Sequence, residues 1–277
     1  MDFECPVVIP YYGGKYMMSK QLINMLPRHI RYFEPFFGGG SMFFRKKKAE
    51  WNVINDIDND LINLYLCVVH NFHELTQYII SFLRSRTIYE DSLEIIKRPV
   101  VDHPDPKRAA IYFFVVRNAF NNVVPNTFSK DTKWDTGIIE ELRESRAKLN
   151  NVTIENLHFA DLVRRYQPRP DDFFYFDPPY VVADKKSYYR NVFTEELHQE
   201  LKEICDLIDT SGSKFMISYD NVENIRKLYK NYNLNYIKTK YVGTVPEKRG
   251  DIKTELVITN YTTQEQKELF YEYDKDR

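Results

Sequence analysis

A chain of 277 residues with 43% hydrophobic content is long enough for one large α/β domain carrying an insertion, and it can bury a sizeable core. A formal charge of −1 and a pI near 6.6 exclude a nonspecific basic coat for nucleic acid and leave only local basic patches. Cys5, Cys67 and Cys205 are widely separated, no apolar run reaches bilayer length, and Met-Asp-Phe-Glu-Cys-Pro lacks the basic-then-apolar order of a signal peptide, so a soluble cytoplasmic protein without disulfides, zinc or a membrane anchor is expected.

In chain order, Tyr11-Tyr12-Gly13-Gly14-Lys15 comes first, ahead of a helix expected over 17–26 and closed by Pro27. Two glycines before a helix start let the backbone approach a ligand, and Lys15 adds a positive charge, although the spacing is not that of a P-loop. Tyr32 to Phe37 reads as a short aromatic strand containing Glu34 and Phe36, followed by Gly38-Gly39-Gly40 and a helix beginning near Ser41. Position 43 is Phe, so the Gly-x-Gly-x-x-Gly spacing of diphosphate cofactors is not met, and a compact nucleoside-type ligand without phosphate is expected at this turn. Arg45 to Lys48 reads as the exposed basic end of that helix.

Val53 to Asp58 reads as a second strand ending in acids, where a carboxylate commonly accepts hydrogen bonds from ribose hydroxyls. Asp56 takes that role and Asp58 the N-cap of a helix marked by Leu61, Leu64, Tyr65 and Val68. From about residue 75 to 150 the alternation of strands and helices lapses. Helices are expected over 76–83 and 105–117, then a loop from Asn118 to Asn126, rich in the amide groups that read base edges and phosphates. This divides the chain into a catalytic domain, 1–74 with 151–277, and an inserted module, 75–150.

Alternation returns with a strand over 152–159 leading to Asp161, and then with Phe173-Phe174-Tyr175-Phe176-Asp177-Pro178-Pro179-Tyr180. Four consecutive aromatics predict a strand covered on both faces. The prolines end it stiffly, leaving Asp177 at a carboxyl strand end, where open α/β sheets bind ligands. A polar loop with Lys185, Lys186 and Arg190 follows, then a helix over 194–208, a strand over 214–218 and a helix over 222–229. Residues 236–242 and 254–261 alternate like a hairpin, with Lys248 and Arg249 in its joining loop as phosphate contacts, and an acidic tail runs from Gln264.

In this order, Tyr11 to Lys15, Glu34 to Ser41, Asn55 to Asp58, Arg117 to Asn122 and Asp177 to Tyr180 resemble the Dam-like (D12 class) DNA adenine-N6 methyltransferases over nearly the whole chain. The resemblance implies a Rossmann-like S-adenosylmethionine-dependent methyltransferase fold: a mostly parallel seven-stranded sheet, an antiparallel C-terminal hairpin and a mainly helical target-recognition insertion. It implies S-adenosylmethionine held by Tyr11, Lys15, Glu34, Phe36, Gly38, Gly40 and Asp177, with ribose hydroxyls at Asp56 and the cofactor's adenine at Asp161. Asp177 and the Pro178 carbonyl would accept hydrogen bonds from the N6 amine of an adenine flipped out of double-stranded DNA, with Tyr180 stacked on its ring and no metal. Arg117, Asn118, Asn121, Asn122, Asn126, Lys248 and Arg249 would read bases or backbone. Where GATC-reading members carry an Asn-Arg-Tyr-Gly-Tyr-Asn-Gly-type run, this chain has Val-Arg-Asn-Ala-Phe-Asn-Asn, so a GATC target is not implied. Two other readings share these motifs: an RNA adenine-N6 methyltransferase and a catalytically silent DNA-binding subunit.

Overall fold

The computed structural model describes residues 5–10, 18–99, 103–122, 124–130, 132, 134–179, 193–240 and 252–263. Seven strands, β1 (Arg31–Glu34), β2 (Trp51–Asn55), β3 (Thr153–Glu155), β4 (Asp172–Phe176), β5 (Lys214–Asp220), β6 (Asn233–Lys240) and β7 (Ile252–Thr259), form one sheet in the order β3-β2-β1-β4-β5-β7-β6. β3, β2, β1, β4 and β5 are mutually parallel, and β7 runs antiparallel to both β5 and β6. Strand order reverses between β1 and β4, which opens a crevice at their carboxyl ends. The bidentate ion pair of Arg31 with Asp172, at 2.5 Å, pins the register of these two strands from their amino ends.

Every residue of β4 is buried, and its side chains alternate between two cores. Tyr32, Phe173, Tyr175, Met216 and Val257 pack on one face, against α2 (Asn59–His70), α3 (Phe72–Ser81), α5 (Pro106–Asn118) and α6 (Gly137–Leu149). Phe33, Phe174, Phe176, Ile217 and Leu256 pack on the other, against α7 (Phe159–Tyr166), α8 (Glu195–Thr210) and α9 (Glu223–Leu228). The aromatic run is therefore a strand between two covering layers, as its lack of polar alternation predicts.

Helix ends follow local chemistry. The Asp58 carboxylate accepts from the N–H groups of Asp60 and Leu61 and caps α2. Asp105 caps α5, whose first residue is Pro106, and Thr194 caps α8. α5 is buried almost all round and is tied to α2 by Arg108, which donates to both carboxylate oxygens of Asp60 at 2.6 and 3.1 Å. Two helices beyond those expected lie within 75–150: α4 (Arg86–Ile96), which buries Tyr89, Ser92 and Ile96, and α6, which buries Ile138, Leu142, Ser145 and Leu149.

Three expectations need correction. The helix over 17–26 is only the short α1 (Ser19–Ile23). The helix expected from Ser41 is a run of turns: Phe44 and Lys46 N–H reach the carbonyls four residues back, Gly40 and Met42, but Arg45 N–H bonds Met42 only three back, and the ladder goes no further. The strand over 152–159 stops at Glu155, because the Asn55 side chain occupies both backbone groups of Leu157, and Asp161 then falls in the first turn of α7. Among the described residues no helix is long and apolar enough to cross a membrane, and no group of three or more His, Cys, Asp or Glu could hold a metal ion.

Candidate active site

The glycine turn joins β1 to the end of β2. Phe37 N–H donates to the Asn55 carbonyl at 2.9 Å, and Gly38 and Gly40 then adopt φ of 48° and 66°, in the left-handed region. A Cβ on Gly40 would lie 2.9 Å from the Phe44 ring and closer still to that of Phe37, so a side chain is excluded there twice over. The half-buried Asp56 carboxylate accepts from Gly38 N–H at 2.9 Å and from Asp58 N–H at 3.0 Å. Burial pushes this carboxyl up to about 6 against those donors. Each oxygen can accept a further bond, an acceptor set that fits the hydroxyls of a ribose. The half-buried Phe36 ring packs against Phe159 and Phe193, 5.2 and 5.6 Å away between centroids, giving the turn an apolar flank.

Asn55 organises this edge, a role its place in a strand motif conceals. It is 1% exposed; its amide donates to the carbonyls of Pro35 and Leu157 at 2.9 and 3.0 Å, and its oxygen accepts from Leu157 N–H at 2.8 Å. One side chain thereby fixes the exits of β1, β2 and β3. Asn156 adds a bond to the Asp56 carbonyl at 2.8 Å.

Asp177 follows β4 directly and is half-buried, with Pro178 buried behind it. On the same face of the sheet, the Tyr175 hydroxyl bonds to Ser218 Oγ at 2.8 Å. One strand over, Tyr32 donates to Glu34 Oε2 at 2.7 Å. Lys46, expected to be exposed, is 2% exposed, with Nζ 3.9 Å above the Tyr32 ring. The turns after Gly40, closed by Phe44 N–H on Gly40 O and Lys46 N–H on Met42 O, set its backbone there, and its ammonium also donates to the Lys47 carbonyl at 3.0 Å. Burial pushes the Glu34 carboxyl up to about 8, against the opposing effects of the Tyr32 hydroxyl, the Lys46 charge and the Phe43 N–H. Glu34 thus reaches the turns that follow Gly40, through the Phe43 N–H.

The other expected site residues fall into three groups. Asp161 lies on α7 with its side chain 65% exposed and 3.6 Å from Arg164. After α5, residues 118–122 and 126–129 pair as a small hairpin through Phe120 N–H to Thr127 O and Ser129 N–H to Asn118 O, both 2.7 Å. Arg117 bonds Glu141 at 2.6 Å, Asn122 takes a φ of 55°, and the Asn126 amide closes the hairpin on the Phe120 carbonyl. Asn121 shares the 3₁₀ turn Phe120–Asn122. Asn118 is fully buried and donates to the Phe114 carbonyl, so the expectation that it reads nucleic acid gives way to a structural role at the end of α5. Tyr11, Lys15, Tyr180, Lys248 and Arg249 lie outside the described residues.

Two exposed arginines beside the hairpin went unnoticed in the sequence. Arg84 and Arg86 both stack on Phe128, at 4.9 and 5.5 Å, and Arg84 donates to the Ser129 carbonyl. Phe120 at the hairpin turn is 47% exposed. Only an Arg-x-Arg spacing ahead of α4 could have signalled this surface.

Residues 11–242 match the family model described as D12 class N6 adenine-specific DNA methyltransferase. The Type II methyltransferase M1.LlaDCHI of Lactococcus lactis subsp. cremoris is 30% identical over 271 residues, covering 90% of this chain and 93% of that protein. The Type II methyltransferase M.MjaIII of Methanocaldococcus jannaschii is 28% identical, covering 93% of this chain and 100% of that protein. The DNA adenine methylase of Escherichia coli K12 is 25% identical, covering 82% and 85%.

Proposed function

The chain belongs to the D12 class of N6 adenine-specific DNA methyltransferases, and from that membership we propose that it transfers a methyl group from S-adenosylmethionine to N6 of an adenine flipped out of double-stranded DNA. The observation that carries this reading is a convergence at one switch point: Asp177-Pro178 at the exit of β4, the glycine turn at the exit of β1 and Asp56 at the exit of β2.

S-adenosylmethionine supplies an electrophilic methyl group when bound. The Phe36 to Gly40 turn and Asp56 would hold it, with Tyr11, Lys15 and Asp161 carried over from the resemblance. An exocyclic amine is a weak nucleophile because its lone pair is conjugated into the ring. The Asp177 carboxylate and the Pro178 carbonyl, accepting from the two N–H groups out of the ring plane, favour a tetrahedral nitrogen with its lone pair free. Positioning and preorganised acceptors then lower the barrier without a covalent enzyme intermediate. Two prolines and a fully buried strand hold these acceptors before substrate arrives. Unstacking the adenine costs a few kcal/mol, which stacking on Tyr180 would partly offset.

Target recognition falls to the insertion at 75–150. The hairpin bearing the exposed Phe120 and the half-buried Asn122 and Asn126, with the exposed Arg84 and Arg86 beside it, supplies polar edges and cations, and Lys248 and Arg249 would add charge. The test is methyl transfer from labelled S-adenosylmethionine to duplex DNA and to structured RNA, with the modified base identified. N6-methyladenine in duplex DNA is expected; label confined to RNA would establish an RNA methyltransferase, and failure to bind S-adenosylmethionine would leave a silent DNA-binding subunit.

A further inference from the structure

The methyl-transfer scheme leaves a proton without a destination. Transfer from a sulfonium to an amine removes one positive charge from the pocket and releases one proton from nitrogen. Beside the site lies a set of groups suited to both changes. Tyr32, Glu34 and Lys46 are each 2% exposed or less, linked by the 2.7 Å bond from Tyr32 to Glu34 and by Lys46 above the Tyr32 ring.

Glu34 is faced from every packed element by groups that set its charge. β1 contributes Tyr32, the turn after Gly40 contributes Lys46 and the Phe43 N–H, β4 contributes the Tyr175 hydroxyl, which burial, Asp177 and Glu34 keep protonated, and the exit of β4 contributes Asp177. Tyr32 and Lys46 favour the carboxylate, whereas burial and Asp177 oppose it and prevail, holding the carboxyl up at about 8. Lys46 is itself pulled down to about 7 by burial, with Lys48 and Lys148 acting in the same direction and Glu34 against them. His29, whose ring lies 5.8 Å from that of Tyr32, is held down at about 4 and stays neutral at physiological pH. This balance is close, so a unit charge arriving or leaving nearby at low dielectric tips it.

Resting on the methyltransferase reading, we propose that Glu34 is the proton store of this active site: it gives up its proton when the cationic methyl donor binds and regains one when the donor has become a neutral thioether. In the transfer step the N6 lone pair forms the new N–C bond, and the C–S bond breaks with its electron pair on sulfur. The N–H bond pair returns to nitrogen, and the proton leaves with Asp177 as first acceptor and Glu34 as its resting place. The pocket thus exchanges a sulfonium beside a carboxylate for a thioether beside a carboxylic acid, and its net charge is unchanged. Lys46 and Tyr32 are positioning residues that keep Glu34 within reach of ionisation.

Calorimetric titration of the full chain in buffers of different ionisation enthalpy counts protons released per ligand bound and needs no turnover. With S-adenosylmethionine at pH 7, the wild type is expected to release roughly half a proton or more beyond what Glu34→Gln releases. With the neutral product S-adenosylhomocysteine the two proteins should match. Tyr32→Phe, which removes the hydrogen bond favouring the carboxylate, should move the pH of half-maximal excess release upward, and this holds as a test even where Glu34→Gln folds poorly. Equal release by wild type and Glu34→Gln, or a Tyr32→Phe profile superimposed on the wild type, would overturn the proposal while leaving methyl transfer intact. Absence of binding of either ligand would overturn the methyl-donor reading itself.

Discussion

The carboxyl edge of the sheet and the hairpin after α5 carry the two halves of the proposed activity, and they hold their residues in opposite ways. At the edge, functional groups are enclosed and multiply bonded: Asn55 fixes three strand exits, Asp56 accepts two backbone bonds, and Glu34 is buried and accepts from the Tyr32 hydroxyl. At the hairpin the backbone bonds to itself and to Tyr89, while Phe120, Arg84 and Arg86 reach solvent. Chemistry thus rests on groups that cannot move without disturbing the core, and recognition rests on groups whose replacement leaves the fold standing. Substitutions should separate these behaviours, most strongly where a reacting group is removed.

The largest effect is expected at Asp177. Asp177→Ala should lower the single-turnover rate of methyl transfer by roughly 10²–10³-fold, the scale for one preorganised polar group at a reacting centre, while DNA affinity measured by fluorescence anisotropy stays near wild type. Near-normal turnover would remove Asp177 from the reaction. Asn55→Ala comes next, with a different signature. It strips partners from the carbonyls of Pro35 and Leu157 and from Leu157 N–H, and should cost about 2–4 kcal/mol in chemical denaturation. A loss below 1 kcal/mol would mean that the strand exits are fixed by other contacts. Gly40→Ala, forcing a side chain at a φ of 66° against two rings, should cost about 1–3 kcal/mol and weaken S-adenosylmethionine binding. Unchanged stability would show that the turn relaxes freely.

Much of this edge was legible in the sequence because its signals are local. An aromatic run ending in prolines, a triple glycine after a strand and an acid one residue past the next strand each state a backbone requirement that neighbouring residues cannot alter. The C-terminal hairpin followed from the alternation over 236–242 and 254–261, whereas the number of strands was implied by the family resemblance. Long-range packing was less legible. Nothing in Arg45-Lys46-Lys47-Lys48 distinguishes the buried second member from its more exposed neighbours, since only the turns after Gly40 decide it. The end of β3 was misplaced for a similar reason: Asn55, about 100 positions earlier, withdraws Leu157 from the ladder. Asn118 looked like a reader in an Asn-rich stretch, but its place at the end of the buried α5 turns it inward. α4 and α6 do carry helical spacing, Tyr89, Ser92 and Ile96 in one and Ile138, Leu142, Ser145 and Leu149 in the other, but within a segment whose polar residues obscure it.

The smallest effect is expected at the exposed arginines, and it tests the hairpin half of the comparison. If Arg84 and Arg86 meet phosphates, each replacement by Ala releases one fewer counterion, so the slope of log affinity against log salt should fall by about 1 per residue. The weakening should be uniform across DNA sequences, because a phosphate contact carries no base information. Turnover at saturating DNA should not change, since both side chains stack on Phe128 of the hairpin and are not among the groups proposed to act on the adenine. Stability should shift by no more than about 0.5 kcal/mol, the range for exposed positions. Arg84 should show the larger shift, because its guanidinium also holds the Ser129 carbonyl, whereas Arg86 only stacks on Phe128. A loss of turnover at saturating DNA would join the two regions through these arginines, whereas an unchanged salt slope in the double variant would place the DNA elsewhere within 75–150.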